Sequence, residues 1–167
     1  NLFAYTGGAT LAAAAAGATV THVDASKGMV TWAKENAVSS GLKDAPIRWL
    51  VDDCVKFVER EIRRGNTYDA IIMDPPSYGR GPKGEIWKIE DMIHPLIRLC
   101  AKILSKDALF FLVNSYTTGL APAVLTYMIS TELKSWNGHV DSQEIGLPVT
   151  NSGLVLPCGA SGRWESR

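Results

Sequence analysis

The sequence predicts an α/β fold in which a doubly wound, mostly parallel sheet carries helices on both faces and ends in an antiparallel edge pair. Short apolar runs alternate with helix-like stretches along most of the 167 residues, 46% of which are hydrophobic. Several runs are dense in β-branched and other apolar residues, as buried parallel strands are. Two final strand-like runs have no helix between them, which indicates an antiparallel pair at one edge.

Each element has a local signal in the sequence. The predicted strands, marked by apolar or β-branched runs, are 1–5, 19–23, 47–51, 68–73, 108–113, 139–145 and 153–157. The predicted helices, marked by helix-forming residues or apolar positions at helical spacing, are 9–16, 27–40, 54–64, 89–104 and 122–133. Three glycines and a proline at 79–84 predict a loop there. One domain, 1–167, accounts for all of these elements.

Composition argues against several classes of protein. Lys and Arg number 17, as do Asp and Glu, and this balance argues against a dedicated basic nucleic-acid module but not against a local basic patch. No apolar run approaches the ~20 residues that span a bilayer. Three widely spaced cysteines form no disulfide framework or metal pattern, so we expect free thiols, no metal and a cytoplasmic location. The chain begins without Met inside a strand-like run, and we expect it to be the C-terminal part of a longer protein.

The first candidate site is the turn Phe3-Ala4-Tyr5-Thr6-Gly7-Gly8. In parallel α/β sheets, ligands bind beyond the carboxyl ends of the strands, and this turn follows the first of them. Two glycines open an Ala-rich helix whose N–H groups could meet a carboxylate or phosphate. Phe3 and Tyr5 stand where the dinucleotide fingerprint G-x-G-x-x-G would have its first glycines, which argues against a NAD-dependent dehydrogenase. An ordinary strand–helix turn is the alternative.

Acidic residues follow the next two strands. Asp24 lies 17 residues after Gly7, near the interval at which an acid binds ribose hydroxyls, although it could instead cap the next helix. Asp52 and Asp53 precede the third helix. One carboxylate suffices as a helix cap, so the other could accept a hydrogen bond from an exocyclic amine such as adenine N6, beside the small side chain of Cys54.

The fourth strand ends in Asp74-Pro75-Pro76-Ser77-Tyr78. Two prolines stiffen the backbone and remove two N–H donors. We expect the carbonyl groups after Asp74 to lack local partners, so that with the Asp74 carboxylate they could accept hydrogen bonds from an amine. Tyr78 could offer a face on which a flat base stacks. A rigid turn with a surface tyrosine is the alternative.

At these four places the chain resembles the class I S-adenosylmethionine-dependent methyltransferases, which have a Rossmann-like fold. It is most similar to the 23S ribosomal RNA branch, with N-L-F-x-Y-T-G-G at 1–8 and D-P-P-x-[FY] at 74–78. The resemblance implies S-adenosyl-L-methionine as cofactor and an RNA substrate. The implied cofactor-binding residues are Phe3, Ala4, Tyr5, Thr6, Gly7, Gly8, Asp24, Ala25, Ser26, Asn36, Asp52, Asp53, Cys54 and Asp74. The implied catalytic residues are Asp74, Pro75, Pro76, Ser77 and Tyr78.

Two departures from the family patterns bear on the chemistry. Ser77 directly follows Pro-Pro, where exocyclic-amine methyltransferases carry an aromatic residue. Thr117 stands where related cytosine-C5 enzymes carry a nucleophilic cysteine, and its hydroxyl is far too weakly acidic to replace a thiolate. We therefore expect direct in-line transfer to a base nitrogen of ribosomal RNA.

Basic and aromatic residues after the fourth strand are candidate RNA contacts. They are Arg80, Lys83, Trp87 and Lys88. A solvated loop and ordinary packing are the alternatives for these residues. Two other functions remain open: a methyltransferase acting on a protein side chain or small molecule, and a nucleotide-binding module that recruits a partner without catalysis.

Overall fold

The computed structural model describes residues 1–80 and 84–167. The helices are α1 (Gly8–Ala15), α2 (Lys27–Ser39), α3 (Cys54–Arg64), α4 (Ile89–Ala101) and α5 (Pro122–Glu132). The strands are β1 (Val20–Asp24), β2 (Ile47–Val51), β3 (Ala70–Met73), β4 (Tyr78–Arg80), β5 (Ile86–Lys88), β6 (Phe110–Ser115), β7 (Gly138–Pro148) and β8 (Val155–Ser166). No helix in these two ranges is both long and apolar enough to cross a membrane.

The main sheet has the order β2-β1-Leu2-β3-β6-β8-β7. Parallel pairing joins β1 to β2 and β3 to β6. Leu2 connects these pairs because it forms parallel bridges with Val23 in β1 and Met73 in β3. The predicted run 1–5 thus enters the sheet only at Leu2, since the backbone turns away at Phe3. The mostly parallel α/β fold is confirmed.

The predicted antiparallel edge pair is present, but β8 is longer than expected. It lies between β6 and β7 and is antiparallel to both. Glycines weaken the sequence signal of a strand, and β8 continues past the predicted end at residue 157 through Gly159 and Gly162. Those glycines allow close packing: a Cβ at Gly159 would lie 2.1 Å from the Ser115 carbonyl oxygen, and one at Gly162 would lie 2.8 Å from the Leu125 Cβ.

Helices cover both faces of the sheet. Adjacent residues of a strand point to opposite faces, which identifies the two layers. His22 of β1 places its Nδ1 2.9 Å from Thr10 Oγ1 of α1. On the same face of the sheet, Gly7 approaches Ala33 of α2. Val23 points to the other face, where the main apolar core contains residues of α3, α4 and α5. The ligand-binding ends of the strands are therefore held between two helical layers.

A short hairpin follows the fourth strand end. Tyr78–Arg80 and Ile86–Lys88 pair antiparallel, so the predicted loop at 79–84 is wrong for its first two residues. Gly79 lies opposite Trp87 in this pairing. Trp87 packs against the main core, a nonlocal contact that the local glycine and proline content could not reveal. The expected RNA contact Lys83 lies outside the described residues.

Candidate active site

A cavity of about 620 Å³ opens at the carboxyl ends of β1 and β3 and beside the start of α3. It brings together residues from all four strand ends singled out in the sequence. The expected residues that line it are Phe3, Tyr5, Asp24, Ala25, Ser26, Asp53, Cys54, Asp74, Pro75, Pro76, Ser77, Arg80 and Trp87. The expected residues placed outside the lining are Ala4, Thr6, Gly7, Gly8, Asn36, Asp52, Tyr78 and Lys88.

The first turn has the backbone shape of a glycine loop at residues that are not glycine. Phe3 has φ 52° and Tyr5 has φ 49°, a left-handed conformation that costs an ordinary residue roughly 1–2 kcal/mol. Hydrogen bonds hold both residues: the Phe3 N–H donates to Cys54 Sγ (3.3 Å) and the Tyr5 N–H donates to Asp24 Oδ2 (2.9 Å). The turn is thus fastened to the ends of two neighbouring elements.

Asp24 bonds backbone amides and still lines the cavity. Its Oδ1 accepts from the Ser26 N–H at 2.8 Å, and its Oδ2 accepts from Tyr5. A carboxylate offers about four acceptor positions, so two hydrogen bonds leave capacity for ligand hydroxyls. The cap of α2 is Ser26, whose Oγ accepts from the Met29 N–H at 3.4 Å. The alternative in which Asp24 serves only as the cap is therefore wrong.

The two acids before α3 have different environments. Asp53 is the N-cap: its Oδ1 accepts from the Lys56 N–H at 2.9 Å, and the residue also lines the cavity. Asp52 is paired with Arg60 outside the cavity. The structure therefore does not bring Asp52 into the candidate cofactor site. Cys54 is buried beside Asp53, and burial raises the pKa of its thiol to about 12.

Several expected contact residues support the turn from outside the cavity. Asn36 of α2 donates from Nδ2 to the Thr6 carbonyl at 2.9 Å. Gly7 is the N-cap of α1, with φ 90°, and a Cβ there would lie 3.1 Å from the Ala33 Cβ. Thr6, Gly7 and Asn36 therefore maintain the shape of the turn rather than lining the cavity.

Asp74 and the two prolines form another wall. Burial raises the pKa of the Asp74 carboxyl. The Pro76 carbonyl accepts from Trp87 Nε1 at 2.6 Å, and the Ser77 carbonyl accepts from the Ile89 N–H at 3.1 Å. The expectation that these carbonyls lack local partners is therefore wrong for Pro76. The Asp74 carboxylate and the Pro75 carbonyl remain as acceptors at this strand end.

The aromatic residue of the cavity wall near Asp74 is Tyr116, not Tyr78. Both tyrosines are about half exposed, but Tyr78 lies outside the cavity lining, and its hydroxyl accepts from Arg80 Nε at 3.2 Å. Tyr116 directly follows β6 and lines the cavity, where burial and the Asp74 charge raise the pKa of its hydroxyl. Ligands in such sheets bind beyond the carboxyl ends of the strands, and applying this rule to β6 as well identifies Tyr116 from the sequence. Its neighbour Thr117 lies 2.7 Å from the Ser77 hydroxyl.

Residues 1–137 match the model of one protein family, described as S-adenosylmethionine-dependent methyltransferase. The chain belongs to this family. Its members' cofactor, S-adenosylmethionine, requires acceptors for ribose hydroxyls and for an adenine amine. Asp24 and Asp53 each retain acceptor capacity at the cavity of this chain, so the residues present fit the cofactor. Among residues 1–80 and 84–167, no cluster of His, Cys, Asp and Glu could hold a metal ion.

Individual relatives of this chain agree with the family assignment. Ribosomal RNA large subunit methyltransferase K/L of Shewanella frigidimarina is 35% identical over 105 residues, which cover 59% of this chain and 14% of that protein. Ribosomal RNA large subunit methyltransferase K of Neisseria meningitidis serogroup B is 32% identical over 117 residues, covering 69% of this chain and 33% of that protein.

A solved structure extends the similarity over the whole chain. The SAM-dependent methyltransferase from Agrobacterium tumefaciens is 43% identical and superposes with a TM-score of 0.95, covering 100% of this chain and 55% of that chain. The chain thus spans between 14% and 55% of the length of these three relatives.

Proposed function

We propose that this domain methylates a base nitrogen of ribosomal RNA by direct in-line transfer from S-adenosyl-L-methionine. The observation that carries the proposal is a single cavity with the strained turn, Asp24 and Asp53 on one side and Asp74-Pro75 on the other. The first side suits an adenosyl cofactor, and the second suits a nitrogen that donates hydrogen bonds. The names of the ribosomal RNA methyltransferase relatives support the RNA substrate and, with it, a cytoplasmic location.

The cofactor side would use acceptors and backbone groups. Asp24 would accept from the ribose hydroxyls, and the Asp53 oxygen not used in capping would accept from the adenine amine. The turn at 3–8 would hold the methionine part, with Asn36 keeping the turn in shape. When bound, the cofactor supplies an electrophilic methyl group on a sulfonium, which needs no metal or acid to activate it.

The target side would orient the nucleophile. The Asp74 carboxylate and the Pro75 carbonyl would accept hydrogen bonds from the target nitrogen or its neighbour, and Tyr116 would offer a face for the base. A ring nitrogen with a free lone pair needs no general base. For an exocyclic amine, Asp74 would accept a hydrogen bond from the attacking nitrogen, which becomes cationic on methyl transfer and then releases its extra proton to solvent. Alignment of this kind can lower a barrier by several kcal/mol.

The cysteines support direct transfer over a covalent intermediate. Cys54 lines the cavity, but its Sγ accepts from the Phe3 N–H, and burial raises its pKa to about 12. It is therefore a thiol at neutral pH, and a thiol is a poor nucleophile. Cys100 is fully buried in α4, and Cys158 lies outside the cavity lining.

Local charge near the cavity would meet the RNA backbone. Arg80 lines the cavity, and Lys88 is exposed on the partner strand of the same hairpin. One basic side chain in the lining and another on the same hairpin are compatible with a chain whose formal net charge is zero.

Paired substitutions in the full-length protein test the proposal. We expect Asp74→Ala to lower methyl transfer to ribosomal RNA by about 100-fold or more, with the calorimetric Kd for the cofactor product within about tenfold of wild type. Asp24→Ala should abolish cofactor binding. Asp44→Ala, which changes an exposed acid outside the cavity, is the control and should leave both measurements unchanged.

Three results would contradict the proposal. Activity that survives Asp74→Ala would place the reaction centre elsewhere. Radiolabelled methyl groups found in protein or metabolite fractions, with none in RNA, would favour another substrate. Cofactor binding without label in any fraction would favour a recruiting module that lacks catalysis.

A further inference from the structure

Trp87 contacts both walls of the cavity. We propose that it is a positioning residue which sets the spacing between the cofactor turn and the acceptors at Asp74-Pro75. This inference rests on the proposed function. From the sequence, Trp87 is a candidate RNA contact or an ordinary packing residue. Neither interpretation includes contact with both walls of the cavity.

Two contacts define the role of Trp87. Its indole Nε1 donates to the Pro76 carbonyl at 2.6 Å, on the target side. Its ring packs on Phe3, on the cofactor side, with ring centroids 5.0 Å apart and planes inclined by 55°. Trp87 is partly buried and packs against the main core, which limits its own movement.

The hydrogen bond from Trp87 to the Pro76 carbonyl also restricts the neighbouring Pro75 carbonyl. The proline rings of Pro75 and Pro76 restrict φ, so the backbone between Asp74 and the Pro76 carbonyl has few free rotations. Holding one end of this stiff segment therefore restricts the direction of the Pro75 carbonyl at the reaction centre. The Ile89 N–H, at the start of α4, holds the next carbonyl, that of Ser77, at 3.1 Å.

The contact with Phe3 acts on a strained part of the backbone. Phe3 has φ 52° and donates its N–H to Cys54, so small movements of its ring would move the turn that would hold the cofactor. In-line transfer requires reacting atoms about 3–3.5 Å apart, and an error of about 1 Å can cost about 100-fold in rate. One rigid side chain that touches both walls suits this requirement.

Two substitutions separate the two contacts. Trp87→Phe keeps an aromatic ring for Phe3 but removes the N–H donor. We expect kcat for RNA methylation to fall by about tenfold or more, with KM for RNA and the calorimetric Kd for S-adenosylhomocysteine within about twofold. Trp87→Ala removes both contacts, and we expect the same loss of kcat with about tenfold weaker cofactor binding in addition.

A matched tryptophan controls for general effects. Trp32 is half exposed on α2 and lies outside the cavity lining, so Trp32→Phe should leave kcat and the cofactor Kd unchanged. A wild-type kcat in folded Trp87→Phe would overturn the inference, as would a raised KM for RNA at unchanged kcat, the sign of an RNA contact. If Asp74→Ala is inactive while Trp87→Phe is fully active, the proposed function stands and only the role of Trp87 fails.

Discussion

At the scale of single residues, the turn at 3–8 shows that residues other than glycine can hold a backbone shape typical of glycine. Phe3 and Tyr5 occupy left-handed conformations that glycine adopts without strain. Hydrogen bonds to Cys54 and Asp24 and the ring contact with Trp87 offset that strain. The sequence comparison with the dinucleotide fingerprint located these two positions, but only the φ angles show that they do the work of glycines.

Substitutions at Tyr5 test this strain. Because Tyr5 is 61% exposed, its replacement loses little packing. We expect Tyr5→Gly to be more stable than Tyr5→Ala by about 1 kcal/mol in urea unfolding, since glycine tolerates positive φ. Tyr127 of α5 is also exposed and is the matched control, where glycine should be the less stable variant by about 1 kcal/mol. The same order of stability at both positions would show that Tyr5 carries no strain.

At the scale of elements, α3 is anchored at both ends by acidic side chains. Asp53 caps its first turn, and Glu61 is fully buried near its last turn. Burial alone would raise the pKa of Glu61, but hydrogen bonds from Asn66, Tyr68 and Arg64 lower it. The sequence pattern predicted the bounds of α3 correctly, but it did not indicate that Glu61 is buried.

We expect Glu61→Ala to lower the free energy of unfolding by about 3 kcal/mol. The substitution leaves the partners of Glu61 without their acceptor and loosens α3 from the residues that precede β3. Glu59→Ala, two residues earlier on the exposed surface, should change the free energy by less than about 0.5 kcal/mol. Urea unfolding followed by circular dichroism measures both, and equal effects would argue against an anchoring role for Glu61.

At the scale of the whole molecule, a buried histidine links stability to pH. His22 lies in β1 with no exposed surface, and its Nδ1 is 2.9 Å from Thr10 Oγ1. Burial lowers the pKa of His22 to about 4. The nearby Asp24 charge raises the pKa, but burial is the larger effect. The unfolded chain therefore binds a proton at His22 at higher pH than the folded chain does.

The sign of the pH dependence follows from this difference. The contribution of His22 is complete above its unfolded pKa of ~6.5 and is lost as the pH falls toward about 4. Between about pH 7 and about pH 5 we expect it to account for a loss of about 2 kcal/mol in the free energy of unfolding. His22→Gln should reduce that slope, whereas His139→Gln, at an exposed histidine, should keep it. Identical slopes in both variants would refute the assignment.

The sequence by itself determined the α/β class, the helices and the three acidic strand ends that meet at the cavity. Helical periodicity and strand composition are local, and parallel strands bring their carboxyl ends to one edge of the sheet. For that reason the sequence places Asp24, Asp74 and the acidic pair at 52–53 at one edge of the sheet, and the cavity there is lined by Asp24, Asp53 and Asp74.

Only the tertiary structure decided which neighbour faces the cavity. Asp53 rather than Asp52, and Tyr116 rather than Tyr78, line it. Adjacent side chains such as those of Asp52 and Asp53 point in different directions, so one position along the chain decides which of them faces the cavity. Tyr116 reaches the cavity because β6 pairs with β3, a contact between distant parts of the chain. The role of Trp87 depends on contacts with Phe3 and Pro76, and such pairs of distant residues leave no local pattern in a single sequence.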